Sequence, residues 1–210
     1  MKTLIWDFNG TIIDDTRLCL DIENKMLEVR GLKGPHTLEE RREAFCFPVI
    51  HYYEHLGYTF QNETFEEVAN EFNDTYFSRY KECELMDGFM DLLKRSKDLG
   101  YHSVIVSASK QETLQAQCKA LGIESYFDEI LGLQDGLAAS KVVMAKNWME
   151  QASIDPKDCM YIGDTNHDQE TAEAIGISNY YLVACGHQSY DVLKKTGAKH
   201  VVKQLKEVIL

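Results

Sequence analysis

Apolar residues recur along this chain with two different periods. Residues 2–7 form a short apolar run that ends at a Gly-Thr turn, a pattern that predicts a buried strand. From about residue 15 to residue 85 the apolar spacing is helical. One face of the first predicted helix carries Leu18, Ile22, Met26 and Val29. The segment from Gly31 to Pro35 predicts the end of that helix.

Two more helical patterns follow in the same block. An aromatic-rich helical stretch around Pro48 contains Phe45, Phe47, Val49, Ile50, Tyr52, Tyr53 and Leu56. Another helix begins at Thr64, where Glu67 three residues later completes a capping-box pattern. Its apolar face carries Phe65, Val68, Ala69, Phe72 and Tyr76. The block shows no strand pattern, so we predict that it is entirely helical.

After Gly88 short strands alternate with helices. The predicted helices cover residues 89–99, 110–121, about 139–152, 167–175 and 189–195. The predicted strands cover residues 103–106, 129–133, 159–162, 180–183 and 200–202. This alternation predicts an α/β fold with a Rossmann-like parallel sheet core. Because the helical block interrupts the core after its first strand, we predict an inserted all-helical cap domain at residues 15–85 and a core at residues 1–14 and 86–210.

The composition excludes several classes of partner. A formal net charge of −12 over 210 residues is a poor match for nucleic acid or an anionic membrane, and we expect neither as a partner. No apolar run approaches the roughly 20 residues that span a bilayer. The sequence opens without the pattern of a secretion signal, and its six cysteines form no C-x-x-C pair. We therefore expect a cytoplasmic protein with reduced thiols.

Polar residues follow four of the predicted strands. Asp7 ends the first strand, and Ser107 ends the strand at 103–106. Lys141 opens the helix after the strand at 129–133, and Asp164 and Asp168 follow the strand at 159–162. Each residue alone would be an ordinary cap, turn or surface residue. Because ligands bind beyond the carboxyl ends of strands in open parallel sheets, their common placement predicts a site.

The order of these four signals resembles the four motifs of the haloacid dehalogenase-like hydrolases, in the branch that includes the phosphoglycolate phosphatases. The first motif is Asp7-Phe8-Asn9-Gly10-Thr11, and the helical insertion matches the family's small helical cap. The resemblance covers essentially the whole chain. It implies a phosphoric monoester hydrolase that acts on a small phosphorylated metabolite through an aspartyl-phosphate on Asp7. It further implies Mg²⁺ as cofactor, in a monomer or a homodimer.

The resemblance also implies roles for single residues. Asp7 and Asp164 would ligate Mg²⁺ through their side chains, Asn9 through its backbone carbonyl and Asp168 through water. Lys141 would neutralise charge on the nucleophile and on the phosphoryl group, with Lys146 as a weaker alternative. The predicted phosphate-binding residues are Gly10, Thr11, Ser107, Ala108 and Lys141.

Asn9 departs from the family pattern, in which an aspartate at this position is the general acid and base. Such help is worth about 10²- to 10⁴-fold in rate. An amide supplies no proton transfer, so turnover could be slow or restricted to acyl, aryl or phosphoanhydride leaving groups. A binding protein that has lost turnover is a third interpretation. An engineered residue, or deamidation of Asn9-Gly10, is a fourth.

Other classes of protein stay open at this point. A phosphate-binding or phosphoprotein-binding module is one alternative. A dehalogenase would work without metal, against which the acidic pair Asp164 and Asp168 argues. A phosphonatase would need a cap lysine, for which Lys25 and Lys33 are the nearest candidates.

Arg41 and Arg42 precede the aromatic stretch and could bind a second anionic group of the substrate. They could equally form a solvated face that pairs with Glu39, Glu40 or Glu43.

Overall fold

The computed structural model describes residues 1–33, 36–134 and 141–210. Within these residues the strands are β1 (Thr3–Trp6), β2 (Ile13–Asp14), β3 (Glu84–Leu85), β4 (His102–Lys110), β5 (Glu129–Leu133), β6 (Cys159–Gly163), β7 (Tyr180–Val183) and β8 (His200–Val202). Six of them form a parallel sheet in the order β5-β4-β1-β6-β7-β8. The predicted α/β class with a Rossmann-like parallel core is confirmed.

The helices lie between these strands along the chain. Their bounds are α1 (Thr16–Val29), α2 (Leu38–Ala44), α3 (Val49–His55), α4 (Phe65–Arg79), α5 (Phe89–Asp98), α6 (Gln111–Ala120), α7 (Lys141–Gln151), α8 (Asn166–Ala174) and α9 (Tyr190–Lys195). The predicted start of the α7 helix near residue 139 lies outside the described residues. No helix in the described part of the chain is long and apolar enough to cross a membrane.

Helices cover both faces of the sheet. Successive side chains of a strand point to opposite faces, so every residue of a central strand meets a helix. In β1, Leu4 and Trp6 pack with α5 and α6, whereas Ile5 points to the opposite face and packs with α7, α8 and α9. All three side chains are fully buried. This explains why the central strands read as continuous apolar runs instead of alternating with polar residues. The complete burial of β1 fits its position inside the sheet, between β4 and β6.

The helices α1 to α4 enclose an apolar cluster of their own. It is built from α1, α3, α4 and the turn after α3, and its buried members are Leu18, Cys19, Ile22, Met26, Leu27, Tyr52, Tyr53, Leu56, Tyr58, Val68 and Tyr76. An antiparallel ribbon of β2 and β3 stands where the chain enters and leaves this block. The predicted boundaries at residues 14 and 86 fall at this ribbon, and the division into two domains stays a prediction.

Several local predictions were wrong. Val29 is 82% exposed, because the apolar face of α1 ends one turn earlier, at Met26 and Leu27. The stretch from Phe45 to Pro48 is not helical, since α2 ends at Ala44 and proline lacks the N–H that a continuing helix needs. Helix α2 and the β2–β3 ribbon were not anticipated. Strand β4 extends to Lys110 across an irregularity in its pairing with β5.

Candidate active site

Three carboxylates meet at the carboxyl ends of β1 and β6. In the register of the sheet, Trp6 pairs with Ile162, so Asp7 and Asp164 emerge side by side. Asp168 lies in the first turn of α8 and completes the group. One oxygen from each carboxylate lies within 4.8 Å of the others. All three side chains are buried, and this is the donor set that a hard divalent cation prefers.

Lys141 brings a single ammonium to these carboxylates from the start of α7. Its Nζ contacts Asp7 Oδ1 directly and lies 2.8 Å from Asp168 Oδ1. The lysine is 4% exposed, so its charge acts in a poorly solvated environment. Tyr161 supports the arrangement, because its hydroxyl donates to the same Asp168 oxygen at 3.1 Å. The alternative residue Lys146 is exposed on the same helix.

Burial and charge separate the pKa values of the three acids. Burial, together with the neighbouring Asp168 charge, raises the pKa of Asp7 to about 8, although Lys141 opposes this shift. Burial also raises the pKa of Asp164 to about 6. Asp168 moves the other way, because Lys141 and Thr165 outweigh the effect of burial and lower its pKa. One lysine therefore does not balance the charge of three acids, and a divalent cation would.

Both oxygens of Asp168 accept hydrogen bonds from protein groups around the site. Its Oδ2 accepts hydrogen bonds from the backbone N–H groups of Asp164 and Thr165, at 3.2 and 3.1 Å, and from the Thr165 hydroxyl at 2.8 Å. Its Oδ1 accepts from Lys141 and Tyr161. Both oxygens are thus engaged with protein donors. Binding of a metal by Asp168 through water stays a prediction.

The loop after β1 depends on close backbone approach. Gly10 has φ of +72°, and a Cβ there would lie 2.3 Å from Asp164 Oδ2. The Thr11 hydroxyl donates to Asp164 Oδ1 at 3.3 Å. At Gly186 a Cβ would lie 2.1 Å from Asp164 Oδ2. The carboxylate of Asp164 is therefore packed between two glycine backbones, which leaves no room for any side chain at either position.

Ser107 and Ala108 lie in β4, which pairs with β1. Ser107 is 1% exposed, and its Oγ accepts a hydrogen bond from the Ser109 N–H at 3.1 Å. Ala108 is exposed. Ile105 of β4 pairs with Trp6 of β1, and the two strands are parallel. Ser107 and Asp7 therefore lie at the same end of the sheet. Phosphate binding by Ser107 and Ala108 stays a prediction.

The side chain of Asn9 is fixed by hydrogen bonds in every direction. Its Nδ2 donates to Asp15 Oδ2 at 2.7 Å and to the Tyr76 hydroxyl at 2.9 Å. Its Oδ1 accepts from the Ser109 hydroxyl at 3.1 Å. Asp15 was not predicted as a site residue, because Asp14-Asp15 at the start of a helix has the sequence of an ordinary cap. Nothing in the local pattern indicates that Asp15 is 1% exposed.

His187 was likewise not predicted at the site. It follows β7 and is 7% exposed. Its backbone N–H donates to Asp164 Oδ2 at 2.5 Å, and its Nε2 lies 3.3 Å from Asp15 Oδ1. Arg41 Nη1 lies 2.9 Å from His187 Nδ1. Because arginine only donates, Nδ1 accepts and the ring proton is assigned to Nε2, facing Asp15.

Arg41 and Arg42 connect the helical block to the core. Arg41 is 2% exposed and forms a two-bond ion pair with Glu23, at 2.8 and 3.0 Å. Arg42 donates to the backbone oxygens of Cys185 and Gly186, at 2.6 and 2.8 Å. The expected solvated face is therefore wrong for Arg41, which pairs within the protein. Contact of either arginine with substrate stays a prediction, and the observed bonds favour a fastening role.

The two cap lysines proposed for phosphonatase chemistry are exposed. Lys25 pairs with Asp21 at 3.0 Å on the surface of α1, and Lys33 lies beyond the end of that helix. In the described part of the chain, the lysine that contacts this carboxylate cluster is Lys141, through Asp7 and Asp168. The geometry thus gives the phosphonatase alternative no support.

Comparison with known proteins identifies the family. A family model described as haloacid dehalogenase-like hydrolase matches residues 4–181, and the chain belongs to this family. It is 26% identical over 198 residues to the tyrosine-protein kinase PtkA of Mycobacterium tuberculosis, covering 93% of this chain and 66% of that protein. The chain thus spans just under two thirds of the length of that relative.

Two further similarities bear on activity and fold. The chain is 23% identical over 178 residues to a phosphoglycolate phosphatase of Rhodobacter capsulatus, covering 83% of this chain and 80% of that protein. A haloacid dehalogenase-like family hydrolase from Streptococcus pneumoniae has the same fold, with a TM-score of 0.79 at 19% identity, covering 97% and 94% of the two chains. The predicted membership of this family is confirmed.

Proposed function

We propose that this chain is a magnesium-dependent phosphatase that acts on a small phosphorylated metabolite, with Asp7 as its nucleophile. One observation carries the proposal, namely the contact of Lys141 Nζ with Asp7 Oδ1 inside a buried cluster of three carboxylates. A carboxylate held by a buried cation at the end of a parallel strand is suited to attack an electrophilic phosphorus. Membership of the hydrolase family and a phosphatase among its relatives support the same chemistry.

The residues fit a magnesium ion. Asp7 and Asp164 would hold it with their side chains and Asn9 with its backbone carbonyl, while Asp168 fixes Lys141 and the loop at Thr165. When bound, the ion supplies positive charge that stabilises the phosphoryl oxygens in the transition state. The replacement of a carboxylate by the Asn9 amide leaves the backbone carbonyl in place, so it does not remove this ligand.

The chain's own residues would divide the reaction into two displacements. An oxygen of Asp7 attacks phosphorus, the bond to the leaving oxygen breaks, and an aspartyl-phosphate forms. Lys141 stays within contact of Asp7 and stabilises the charge on the transferring group. Water then attacks phosphorus, which releases inorganic phosphate and restores the Asp7 carboxylate. Asn9 cannot donate or accept the protons of these steps, so leaving groups that need no protonation are favoured.

The helices α1 to α4 would act as a cap that closes over this site. Residues of α2 and the segment after it bond to the loop at 185–189, where the Ser189 N–H donates to the Arg42 oxygen at 3.2 Å. The Gln188 side chain donates to the Phe45 oxygen at 2.9 Å. Asp7 is 8% exposed under this cover. We therefore place substrate entry at an opened cap, which would exclude water when it closes.

Hydrolysis of an aryl phosphate and an alkyl phosphate, with and without Mg²⁺, tests the proposal. The native chain is expected to cleave the aryl ester with Mg²⁺, to cleave the alkyl ester far more slowly, and to lose activity in a chelator. Asp7→Asn is expected to abolish turnover. Activity that persists in the chelator would indicate dehalogenase-type chemistry instead. Retained phosphate binding without turnover, unchanged in Asp7→Asn, would indicate a binding protein.

Phosphoryl transfer to a tyrosine is a second candidate. It is favoured by the amide at Asn9, because a phosphoanhydride leaving group needs little protonation, and by the similarity to a protein named as a tyrosine kinase. Incubation with ATP labelled at the γ-phosphate separates the two functions. Label appearing on a tyrosine of this chain or of an added polypeptide would support transfer, whereas label appearing only as free phosphate would support hydrolysis.

A further inference from the structure

Asp15 is a buried carboxylate at the junction of the nucleophile loop and the helical block. Its Oδ1 accepts from the Gly10 N–H at 3.0 Å and lies 3.3 Å from His187 Nε2. Its Oδ2 accepts from Asn9 Nδ2 at 2.7 Å and from the Tyr76 hydroxyl at 2.8 Å. Four donors from three separate parts of the chain therefore converge on one carboxylate, which keeps it ionised despite its burial.

Asn9, Asp15 and Tyr76 form a closed triangle of hydrogen bonds. Asn9 Nδ2 supplies a donor to both of the other side chains, while the Tyr76 hydroxyl accepts from Asn9 and donates to Asp15. A carboxylate at position 9 would have no donor to offer. It would place two acceptor oxygens about as close as the present 2.7 Å contact, in a setting where an unsatisfied acceptor is costly.

We infer that Asp15 is a positioning residue that holds the side chain of Asn9 and determines that position 9 carries an amide. Asp15 thereby sets the leaving-group preference of the reaction, since it keeps a proton-transferring carboxylate out of that position. The consequence for turnover rests on the proposed function, whereas the consequence for stability does not. Asp15 itself is enclosed by donors and is not assigned any contact with substrate.

A metal ion does not explain the same cluster. The carboxylate of Asp15, the thiol of Cys19 and the imidazole of His187 lie close enough together to be ligands. However, both nitrogens of His187 are engaged, Nδ1 with Arg41 and Nε2 with Asp15. Burial, reinforced by the Asp15 charge, raises the pKa of the Cys19 thiol. Asp15 and His187 are thus joined to each other directly, with the Arg41 cation bonded to the far side of the imidazole.

Exchange of the two side chains would keep the same groups in the same space. Asn9→Asp combined with Asp15→Asn leaves one carboxylate and one amide facing each other, with the amide now donating from position 15. The Tyr76 hydroxyl can still donate to the carboxylate. The exchange differs from the native chain in one respect that matters for catalysis, because the carboxylate now lies on the nucleophile loop two residues after Asp7.

A double-mutant cycle tests the inference with the full chain. Asn9→Asp, Asp15→Asn and the combined exchange are compared with the native chain by thermal unfolding and by kcat/KM for aryl and alkyl phosphates with Mg²⁺. We expect Asn9→Asp to lower the unfolding midpoint by at least about 4 °C, as an unsatisfied buried acceptor would in a chain of this length. We expect the combined exchange to recover most of that loss.

The activities report on the specificity role. Relative to the native chain, the combined exchange is expected to raise kcat/KM for the alkyl ester about 10²-fold, the low end of general acid and base assistance. Asn9→Asp alone is expected to gain less than about tenfold, because its carboxylate faces Asp15. Aryl activity is measured in the same variants, so that a change of leaving-group preference is separated from a change of overall activity. Asp14→Asn provides the matched control, since Asp14 is exposed and adjacent. Combined with Asn9→Asp, it should recover neither stability nor activity.

Different outcomes of this cycle would contradict the positioning role of Asp15, its specificity role or the proposed function. If Asn9→Asp unfolds at the native midpoint and the cycle shows no coupling, Asp15 does not hold Asn9 and the inference fails. If coupling is found but the alkyl activity of the exchange equals that of Asn9→Asp, the specificity role fails. If coupling is found and no variant, including the native chain, hydrolyses any phosphate, the positioning role is supported and the proposed function fails.

Discussion

The guanidinium of Arg41 and the carboxylate of Glu23 form a two-bond ion pair that water does not reach. The bonds are 2.8 and 3.0 Å long, and the two residues are 2% and 5% exposed. Tyr52 donates a third hydrogen bond to Glu23 at 2.8 Å. Because Arg41 also donates to His187, the pair joins α1 and α2 of the helical block to the loop beside the carboxylates.

Removal of Arg41 is expected to leave a buried charge without its partner. We predict that Arg41→Met lowers the free energy of unfolding by about 3–5 kcal/mol, the usual cost of breaking a buried ion pair. Urea unfolding followed by circular dichroism measures it. Arg17→Met is the control, because Arg17 is exposed on α1, and it should cost under about 0.5 kcal/mol. Equal losses in the two variants would contradict a special role for the Arg41–Glu23 pair.

Lys141 and Lys146 offer a matched pair of substitutions on one helix. Lys141 contacts Asp7 and Asp168, whereas Lys146 is exposed. We predict that Lys141→Met lowers kcat for an aryl phosphate by about 10²- to 10³-fold, as loss of one preorganised electrostatic contact does elsewhere. Lys146→Met should leave kcat unchanged. Steady-state kinetics at saturating Mg²⁺ decide between them, and a similar fall in both variants would remove Lys141 from the proposed mechanism.

The sequence was sufficient to predict the six strands of the parallel sheet and, at β1 and β6, the point where the strand ends. Runs such as Leu4 to Trp6 and Met160 to Ile162 are apolar at successive positions because both faces of the sheet are covered. The first polar residue after each run therefore marks an edge, and Asp7 and Asp164 were found in this way. Their approach follows from strand order alone, since β1 and β6 are parallel neighbours.

The remaining site residues could not be predicted because long-range docking decides their burial. Asp15 and His187 are 172 positions apart in the chain. They come into contact in the folded chain, where the start of the helical block packs against the loop after β7. Arg41 belongs to a helix whose local pattern, two arginines among glutamates, is typical of a solvated surface. Its partner Glu23 lies on another helix, on a face that the apolar periodicity of α1 alone did not distinguish as polar and buried.

Gly186 tests the packing around Asp164 by size alone. A methyl group there would lie 2.1 Å from Asp164 Oδ2 and 2.4 Å from the Gly10 oxygen. We predict that Gly186→Ala weakens Mg²⁺ binding at least about tenfold, because disturbing the groups that orient a metal ligand has this effect at other metal sites. Isothermal titration with Mg²⁺ measures this directly. Gly197→Ala is the control, because Gly197 has φ of +79° but open space around its Cα, so it should affect stability and not Mg²⁺ binding.

Arg30 and Glu63 fasten the end of α1 to the segment before α4, and their ion pair gives stability a defined pH dependence. Two hydrogen bonds of 2.7 Å from Arg30 lower the pKa of Glu63. The folded chain therefore binds fewer protons at this carboxyl than the unfolded chain, so the pair stabilises the fold above the unfolded pKa of about 4.3. That contribution is lost as the pH falls through the lower, folded pKa.

We predict that Glu63→Gln lowers the free energy of unfolding by about 1 kcal/mol at pH 7, the upper range for a partly exposed pair. The difference from the native chain should shrink as the pH falls below about 4.3 and vanish once Glu63 is protonated in both states. Urea unfolding between pH 3 and pH 7 measures the difference, with the exposed Glu66→Gln as control. A difference that stays constant over this range would show that Glu63 acts through packing, because only its charge disappears on protonation.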